Sequence, residues 1–341
     1  MDAARLQEFL SAVEPERGPE VLSAEPIPGG YSRDTVIAEV RWADGSTERL
    51  VLRGDPPIEG SVFRSDRDRE WTLLNALADV PTFRIPRPRY YDATGEYLGT
   101  KCIVSEAIPT SSMQAFLETG PDLDQARRDF IGIVASIHTT PVDLIAGTVE
   151  QPATWDEHID RIMGIYDRIL EKAEANGDSD PVLRYVRATM RANRPREGPL
   201  GLVHGDAQPG NFLLPPGEQP VIIDWEFGHI GDPRQDLGYY LQIPMPPHLY
   251  HPDPEGFLAI YRELTGYTEE QVNPQVVRYF MLLGMVHLLE QMIDAAEAVA
   301  RGEHRGILGT YLLGSITHFR NLFLGICLAL PRPTPDPEAA S

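Results

Sequence analysis

Lysine is nearly absent from this 341-residue chain: of 30 basic residues, only Lys101 and Lys172 are lysines. The basic residues are outnumbered by 51 aspartates and glutamates, which gives a formal net charge of −21. Such an acidic balance excludes general nucleic-acid binding and binding to anionic membranes, both of which need a basic surface. Cysteine is equally scarce. Cys102 and Cys327 lie far apart and make no disulfide framework, so two reduced, buried thiols in a cytoplasmic protein are expected. The opening MDAARLQEFLSAVEPERG has no basic segment followed by an apolar one, and no signal peptide is expected. The most apolar late stretch, 306–330, is interrupted by His318 and Arg320, and is expected to be a buried helix and not a bilayer span.

What is present is an ordinary share of core-forming residues, 42% apolar, in a chain long enough for two lobes. Up to about residue 108 the pattern is of strands plus one helix. VLSAEPI leads through PGGYS into DTVIAEVRW, where Val36, Ala38, Val40 and Trp42 share one face; Asp44-Gly45 marks a hairpin, and TERLVLR returns antiparallel. SDRDREWTLLNALADV reads as a helix capped near Ser65, with Glu70, Leu74 and Leu77 on one side. RYYDA and GTKCIVSEAI supply two more strands. From there on, segments near 122–140, 154–175 and 181–193, and most of the chain after Pro254, carry the i, i+3, i+4 spacing of helices. The expected division is residues 1–107, residues 108–330 with a connector near 106–112, and a disordered Pro-rich tail at 331–341.

One stretch breaks the helical texture: GLVHGDAQPGNFLLPPGEQPVIIDWEFG, 201–228. FLL and VII read as a hairpin around PPGEQP. Antiparallel pairing would set Asn211 opposite Asp224, their side-chain oxygens ~5 Å apart, a pair of hard ligands suited to Mg²⁺. Asp206 in the preceding loop is a second carboxylate, free to take a proton from an attacking hydroxyl.

HGDAQPGN has the Asp-x-x-x-x-Asn spacing of a kinase catalytic loop, and IDWE stands where kinases carry a metal-binding Asp. His-Gly-Asp in place of His-Arg-Asp resembles the aminoglycoside phosphotransferase superfamily of small-molecule kinases, over roughly residues 20–325. LVLRGDPP and DWEFGHIGDPRQDLGY are nearest to the branch of that superfamily associated with acyl-CoA dehydrogenases. The resemblance implies an α+β, protein-kinase-like two-lobe fold, with a five-stranded antiparallel N-lobe containing one helix and a mainly helical C-lobe. It implies ATP as donor, with GTP as the alternative, and Mg²⁺ as cofactor. Asp206 would be the catalytic base, and Asn211 and Asp224 would be the metal ligands. Gly29, Gly30, Tyr31 and Ser32 would cover the phosphates. Ser105 and Ala107 would bind the base through their backbone, with Val104 lining the pocket. His204, Asp232 and Asp236 would brace these loops. The third strand offers Arg53, partnered by Glu70, where protein kinases place a Lys; arginine keeps the charge and adds a bidentate fork.

The activity implied is transfer of the γ-phosphate to a hydroxyl of a small molecule. The acidic helix over 154–175 and the loop after residue 244 would wall the acceptor pocket; an aminoglycoside would draw on Asp156, Glu157 and Asp160, a macrolide is the other antibiotic acceptor left open, and the acyl-CoA dehydrogenase branch points to hydroxyacyl-type substrates. The rival readings are a nucleotide-binding pseudokinase or scaffold without turnover, and a metal-dependent hydrolase built on His204, Asp206 and Asp224. Glu226 is open between reaching a metal-bound water and capping a loop, and a homodimer is left open by the apolar last helices.

Overall fold

The computed structural model describes residues 1–27, 34–55, 66–120, 122–242, 254–303 and 306–332. The chain divides into two compact units: Met1–Ala115 with Asp143–Val149 and Gly210–Glu226, and Phe116–Val142 with Glu150–Pro209 and Phe227–Ser341.

The first unit is organised by a five-stranded antiparallel sheet of β1 (Glu20–Pro26), β2 (Asp34–Arg41), β3 (Thr47–Gly54), β4 (Pro88–Asp92) and β5 (Cys102–Glu106), in the order β1-β2-β3-β5-β4. The β2–β3 hairpin turns at Asp44-Gly45. Gly45 takes φ 83°, which a side chain would resist, and the Asp44 carboxylate accepts from the Ser46 N–H at 2.8 Å.

Strand alternation then gives the sheet two different faces. Val36, Ala38, Val40, Leu50, Leu52, Cys102 and Val104 point to a closed core. Thr35, Ile37, Arg49, Val51, Arg53, Ile103 and Ser105 point to an open cavity.

Two helices serve this unit, where one was expected. The helix missing from the sequence reading, α1 (Ala3–Val13), caps on Asp2, which accepts from the Arg5 N–H at 3.0 Å, and buries Leu6, Phe9 and Leu10 against the closed face. The second, α2 (Arg67–Leu77), is capped by Asp66, which accepts from the Arg69 N–H at 3.0 Å; Ser65, the expected cap, lies outside the described residues. A short hairpin, β7 (Phe212–Leu213) and β8 (Val221–Ile222), also belongs to this unit.

The second unit contains α4 (Leu123–His138), α5 (Trp155–Ala175), α6 (Pro181–Ala192), α7 (Arg234–Gln242), α8 (Pro254–Thr265), α9 (Pro274–Ala300) and α10 (Gly306–Leu328), together with a two-stranded ladder of β6 (Gly201–Val203) and β9 (His229–Gly231), on which α4 packs through β6. A short helix, α3 (Met113–Leu117), lies where the two units meet in sequence. By length and composition α9 could cross a bilayer, but it buries Val277, Phe280, Leu283, Val286 and Leu289 inside the unit and packs against α7 and α10. A helix apolar on all sides is a core helix when its neighbours cover it. On α5 the Tyr166 hydroxyl donates to the Leu282 carbonyl at 2.8 Å, and Lys172 pairs with Asp294 and Glu297, both at 2.7 Å. The other lysine, Lys101, pairs with Asp68. Residues 333–341 of the expected tail lie outside the described residues.

Candidate active site

The open face of the first unit's sheet floors a cavity of about 700 Å³. Its floor is built in layers by strand register: Thr35, Arg53 and Ile103 lie side by side across β2, β3 and β5, and Ile37, Val51 and Ser105 form the next row. Glu70 and Leu74 from α2, and Leu213, Ile223, Asp224 and Trp225 from the hairpin region, line it as well.

Of the residues expected to bind nucleotide, Arg53, Glu70, Ser105 and Ala107 all border this cavity. Gly29, Gly30, Tyr31 and Ser32 lie outside the described residues. Val104 does not line it: the side chain is fully buried in the closed core on the other face. Cys102-Ile103-Val104 is apolar without alternation because Ile103 is buried on the cavity face while Cys102 and Val104 are buried in the closed core, so the sequence does not show which residue faces which way. The cavity takes Ile103 and Ser105 instead.

The expected Arg53–Glu70 pair gives way to two others. Arg53 Nη2 lies 2.6 Å from Asp224 Oδ1, and Glu70 is bound by Arg67 one turn earlier on α2. Arg67 is buried, carries Asp55 on its Nε at 3.0 Å and leaves Nη2 without a partner. A buried guanidinium needs its carboxylates, and that demand holds Glu70.

The rim near the end of β5 is decided by backbone hydrogen bonds. Glu106 N–H donates to the Arg87 carbonyl and Ala107 N–H to the Arg49 carbonyl, both at 3.0 Å. The amide expected to meet the base is therefore already engaged. Ile108 N–H, one residue on and bordering the cavity, has no partner among the described residues, Pro109 has no N–H, and Thr110 N–H donates to the Ile108 carbonyl at 2.8 Å.

The hairpin register is one residue away from the expected one. Phe212 pairs with Ile222 and Leu213 with Val221, and Ile223 N–H donates to the Asn211 carbonyl at 2.9 Å, so Asn211 faces Ile223. Leu214 is drawn off the ladder: its N–H donates to the Ser111 carbonyl at 3.1 Å and its carbonyl accepts from Thr110 Oγ1 at 2.9 Å. Asp224 follows with φ 69°, the one left-handed non-glycine residue among those described. Such a conformation costs about 1 kcal/mol or more and persists only where the surroundings enforce it. Here it sets the carboxylate on Arg53. Phe83 stacks on Trp225 at 5.4 Å, and the Glu226 carbonyl accepts from Arg69 Nη2 at 2.9 Å, which fixes the turn that follows.

Asp206 belongs to the second unit, in the loop after β6. It is 8% exposed, its N–H donates to His204 Nδ1 at 3.1 Å, and Gln208 Nε2 donates to both carboxylate oxygens. Gly205 takes φ 81°, and a Cβ there would stand 2.6 Å from that of Phe227, so no other residue fits. Asp236 braces this loop: Oδ2 accepts from the His204 N–H and Oδ1 from the Gly205 N–H, each at 2.8 Å, and His138 Nε2 lies 2.9 Å from Oδ2. Burial would raise the Asp236 carboxyl, but the hydrogen bond and charge of His138, with the donors at His204, outweigh it and hold it below the usual range. Asp232 is clamped by Trp155 Nε1 at 2.6 Å and by Arg234, and its N–H donates to His158 Nε2 at 3.2 Å. His204 and Asp236 thus brace the Asp206 loop as expected, whereas the contacts of Asp232 run to Trp155 and His158 on α5 and to Arg234.

The carboxylates considered for a cationic acceptor are already partnered. Arg194 reaches both Asp156 and Asp160 at 2.6 Å, and Glu157 pairs with Arg161 at 3.2 Å while accepting the Ala153 N–H at 2.7 Å. The loop after residue 244 lies outside the described residues up to 253.

Residues 23–275 match the model of the family described as "Phosphotransferase enzyme family". Among curated proteins the chain is similar to acyl-CoA dehydrogenase family member 10 of Mus musculus, 27% identical over 211 residues, covering 59% of this chain and 18% of that protein. It is also 27% identical over 212 residues to family member 11 of Homo sapiens, covering 57% of this chain and 25% of that protein. The match thus spans a quarter or less of these relatives' own length. Among solved structures it resembles the GDP complex of aminoglycoside 2'-phosphotransferase-IIIa (TM-score 0.62, 15% identity, 93% of this chain and 98% of that one). It likewise resembles macrolide 2'-phosphotransferase type I (TM-score 0.62, 16% identity, 92% and 96%). With a protein-kinase-like fold and a family model matching most of its length, the chain belongs to the phosphotransferase enzyme family.

Proposed function

We propose that the protein is a Mg²⁺-dependent phosphotransferase that moves the γ-phosphoryl group of ATP, or alternatively GTP, to a hydroxyl of a small molecule. The observation that carries this reading is the Arg53–Asp224 pair at 2.6 Å on the cavity floor. A guanidinium and a carboxylate side by side at one end of a cavity of nucleoside size support a phosphate-binding role for the first and a metal-binding role for the second. At the other end Ile108 N–H supplies a donor for the base, with Ser105 and Val51 beneath it.

Asp224 and Asn211 fit Mg²⁺ chemically. Both are hard oxygen donors, and Mg²⁺ asks for one or two protein carboxylates while taking other ligands from phosphate and water. The described residues hold no cluster of three or more His, Cys, Asp or Glu side chains, as a softer metal held by protein alone would require. Bound there, the ion would neutralise charge on the phosphates, with Asn211 and Asp224 as the residues that would hold it. Arg53 would bind the phosphate chain as a fork, and Asp206 would orient the acceptor hydroxyl and take its proton. Ionised Asp206 is supported by the donors around it, His204 aligning its backbone and Gln208 its carboxylate.

The test is γ-phosphate transfer from ATP and GTP, with Mg²⁺, to hydroxyacyl-CoAs, aminoglycosides, macrolides, amino alcohols and sugars. Transfer to one class, reduced ~10²–10⁴-fold in Asp206→Asn, is the expected result. Mg²⁺-independent nucleotide binding with no γ-phosphate loss would instead favour a protein without turnover.

A further inference from the structure

We propose that Gln208 is a positioning residue for Asp206: its side-chain amide holds both carboxylate oxygens and fixes the direction in which they meet the acceptor hydroxyl. The proposal rests on the reading of Asp206 as the catalytic base.

Gln208 Nε2 lies 3.2 Å from Asp206 Oδ1 and 3.1 Å from Oδ2, nearly equidistant, so the amide faces the carboxylate squarely. An ionised carboxylate only accepts, which dictates that the NH₂ and not the Oε1 of Gln208 points at it. The backbone keeps the two residues close: Gln208 N–H donates to the Asp206 carbonyl at 2.8 Å in a tight turn. At the other end Asp206 N–H is tied to His204 Nδ1 at 3.1 Å. The main chain of Asp206 is therefore held by His204, whose own N–H is fixed on Asp236, while rotation of its carboxylate is restrained by Gln208. A carboxylate only 8% exposed needs donors in any case. One that must receive a proton along one direction needs them on a fixed axis as well, because misorientation lowers rate without touching nucleotide affinity.

The experiment uses the full chain and Mg²⁺-ATP and Mg²⁺-GTP hydrolysis without acceptor, followed with γ-labelled nucleotide. Gln208→Met keeps the length and removes the donor; Gln208→Glu keeps the shape and sets a second carboxylate against the first; Gln208→His restores a ring N–H donor. Loss of a hydrogen bond to a charged group predicts a kcat at least ~10-fold lower for Gln208→Met, with nucleotide KM within about twofold. Gln208→Glu should fall at least as far and Gln208→His recover to within about threefold of wild type. Wild-type kcat in Gln208→Met overturns the proposal, as does a KM that rises in step with the loss, or a Gln208→His variant as slow as Gln208→Met. Asp206→Asn in the same series separates the two claims. If it hydrolyses like wild type, the base assignment itself fails. If it is inactive while Gln208→Met is unchanged, only the role of Gln208 fails.

Discussion

The cavity of the first unit and the Asp206 loop of the second are stabilised on opposite terms. In the cavity, Arg53 and Asp224 form an ion pair whose side chains stay 20% and 23% exposed, and the Ile108 N–H at the far end has no partner among the described residues. In the loop, His138 and Asp236 meet at 1% and 0% exposure, and the Asp236 oxygens accept from His138 and two backbone N–H groups. A partly hydrated pair is worth about 1 kcal/mol or less and can be exchanged for a ligand. A buried, hydrogen-bonded carboxylate is costly to disturb and holds its neighbours in place. One region is built to change partners and the other to keep them.

The sharpest way to break this contrast is Asp224→Ala. It should reduce turnover by roughly 10³-fold, about 4 kcal/mol, at a cost in folding stability of about 1–2 kcal/mol, since the partly hydrated pair with Arg53 is lost and alanine tolerates φ 69° less well than aspartate. Turnover kinetics beside chemical denaturation check both halves; a variant that unfolds would show that the pair is structural.

A second test uses pH. Burial pushes His158 from its ordinary 6.5 down to about 4, so it folds neutral while the unfolded chain takes up a proton below 6.5. The stability this provides is complete above about pH 6.5 and is lost as pH falls towards 4, by up to about 3 kcal/mol. Denaturation curves at pH 7 and 4.5 should show the drop, and His158→Gln should flatten it.

Asp236→Asn, which keeps the shape and removes the charge facing His138 and the two N–H donors, should cost about 2 kcal/mol and lower activity through the Asp206 loop while nucleotide affinity stays unchanged. The smallest effect is expected from Thr154→Ala. It deletes the α5 cap, where the hydroxyl accepts from the Glu157 N–H at 3.1 Å, and should cost about 1 kcal/mol with kcat unaltered.

The fold was readable where periodicity was clean. The Val36, Ala38, Val40 face, the Asp44-Gly45 turn and the long helices α5, α9 and α10 follow from spacing and turn chemistry alone. So did α1, whose Asp2 cap and Leu6, Phe9, Leu10 spacing were legible but not read. The bracing of the loops was legible in type, because His and Asp beside catalytic loops need buried partners. Three features were not. Val104 faces the core because a central apolar strand hides its alternation. Asn211 slips one place because Leu214 finds partners at residues 110 and 111, which lie far away in sequence. Arg53 meets Asp224 and not Glu70 because Arg67 claims Glu70 from the same helix. In each case a partner distant in sequence, or a competing charge, overrides the local pattern.

The central claim is most directly tested by calorimetric titration of the full chain with ATP and with GTP, with and without Mg²⁺, beside the Arg53→Ala variant. The account predicts one nucleotide per chain, bound only with Mg²⁺ and at least ~10-fold more weakly in Arg53→Ala. Binding that ignores Mg²⁺ and Arg53 alike, or no nucleotide binding at all, would contradict it.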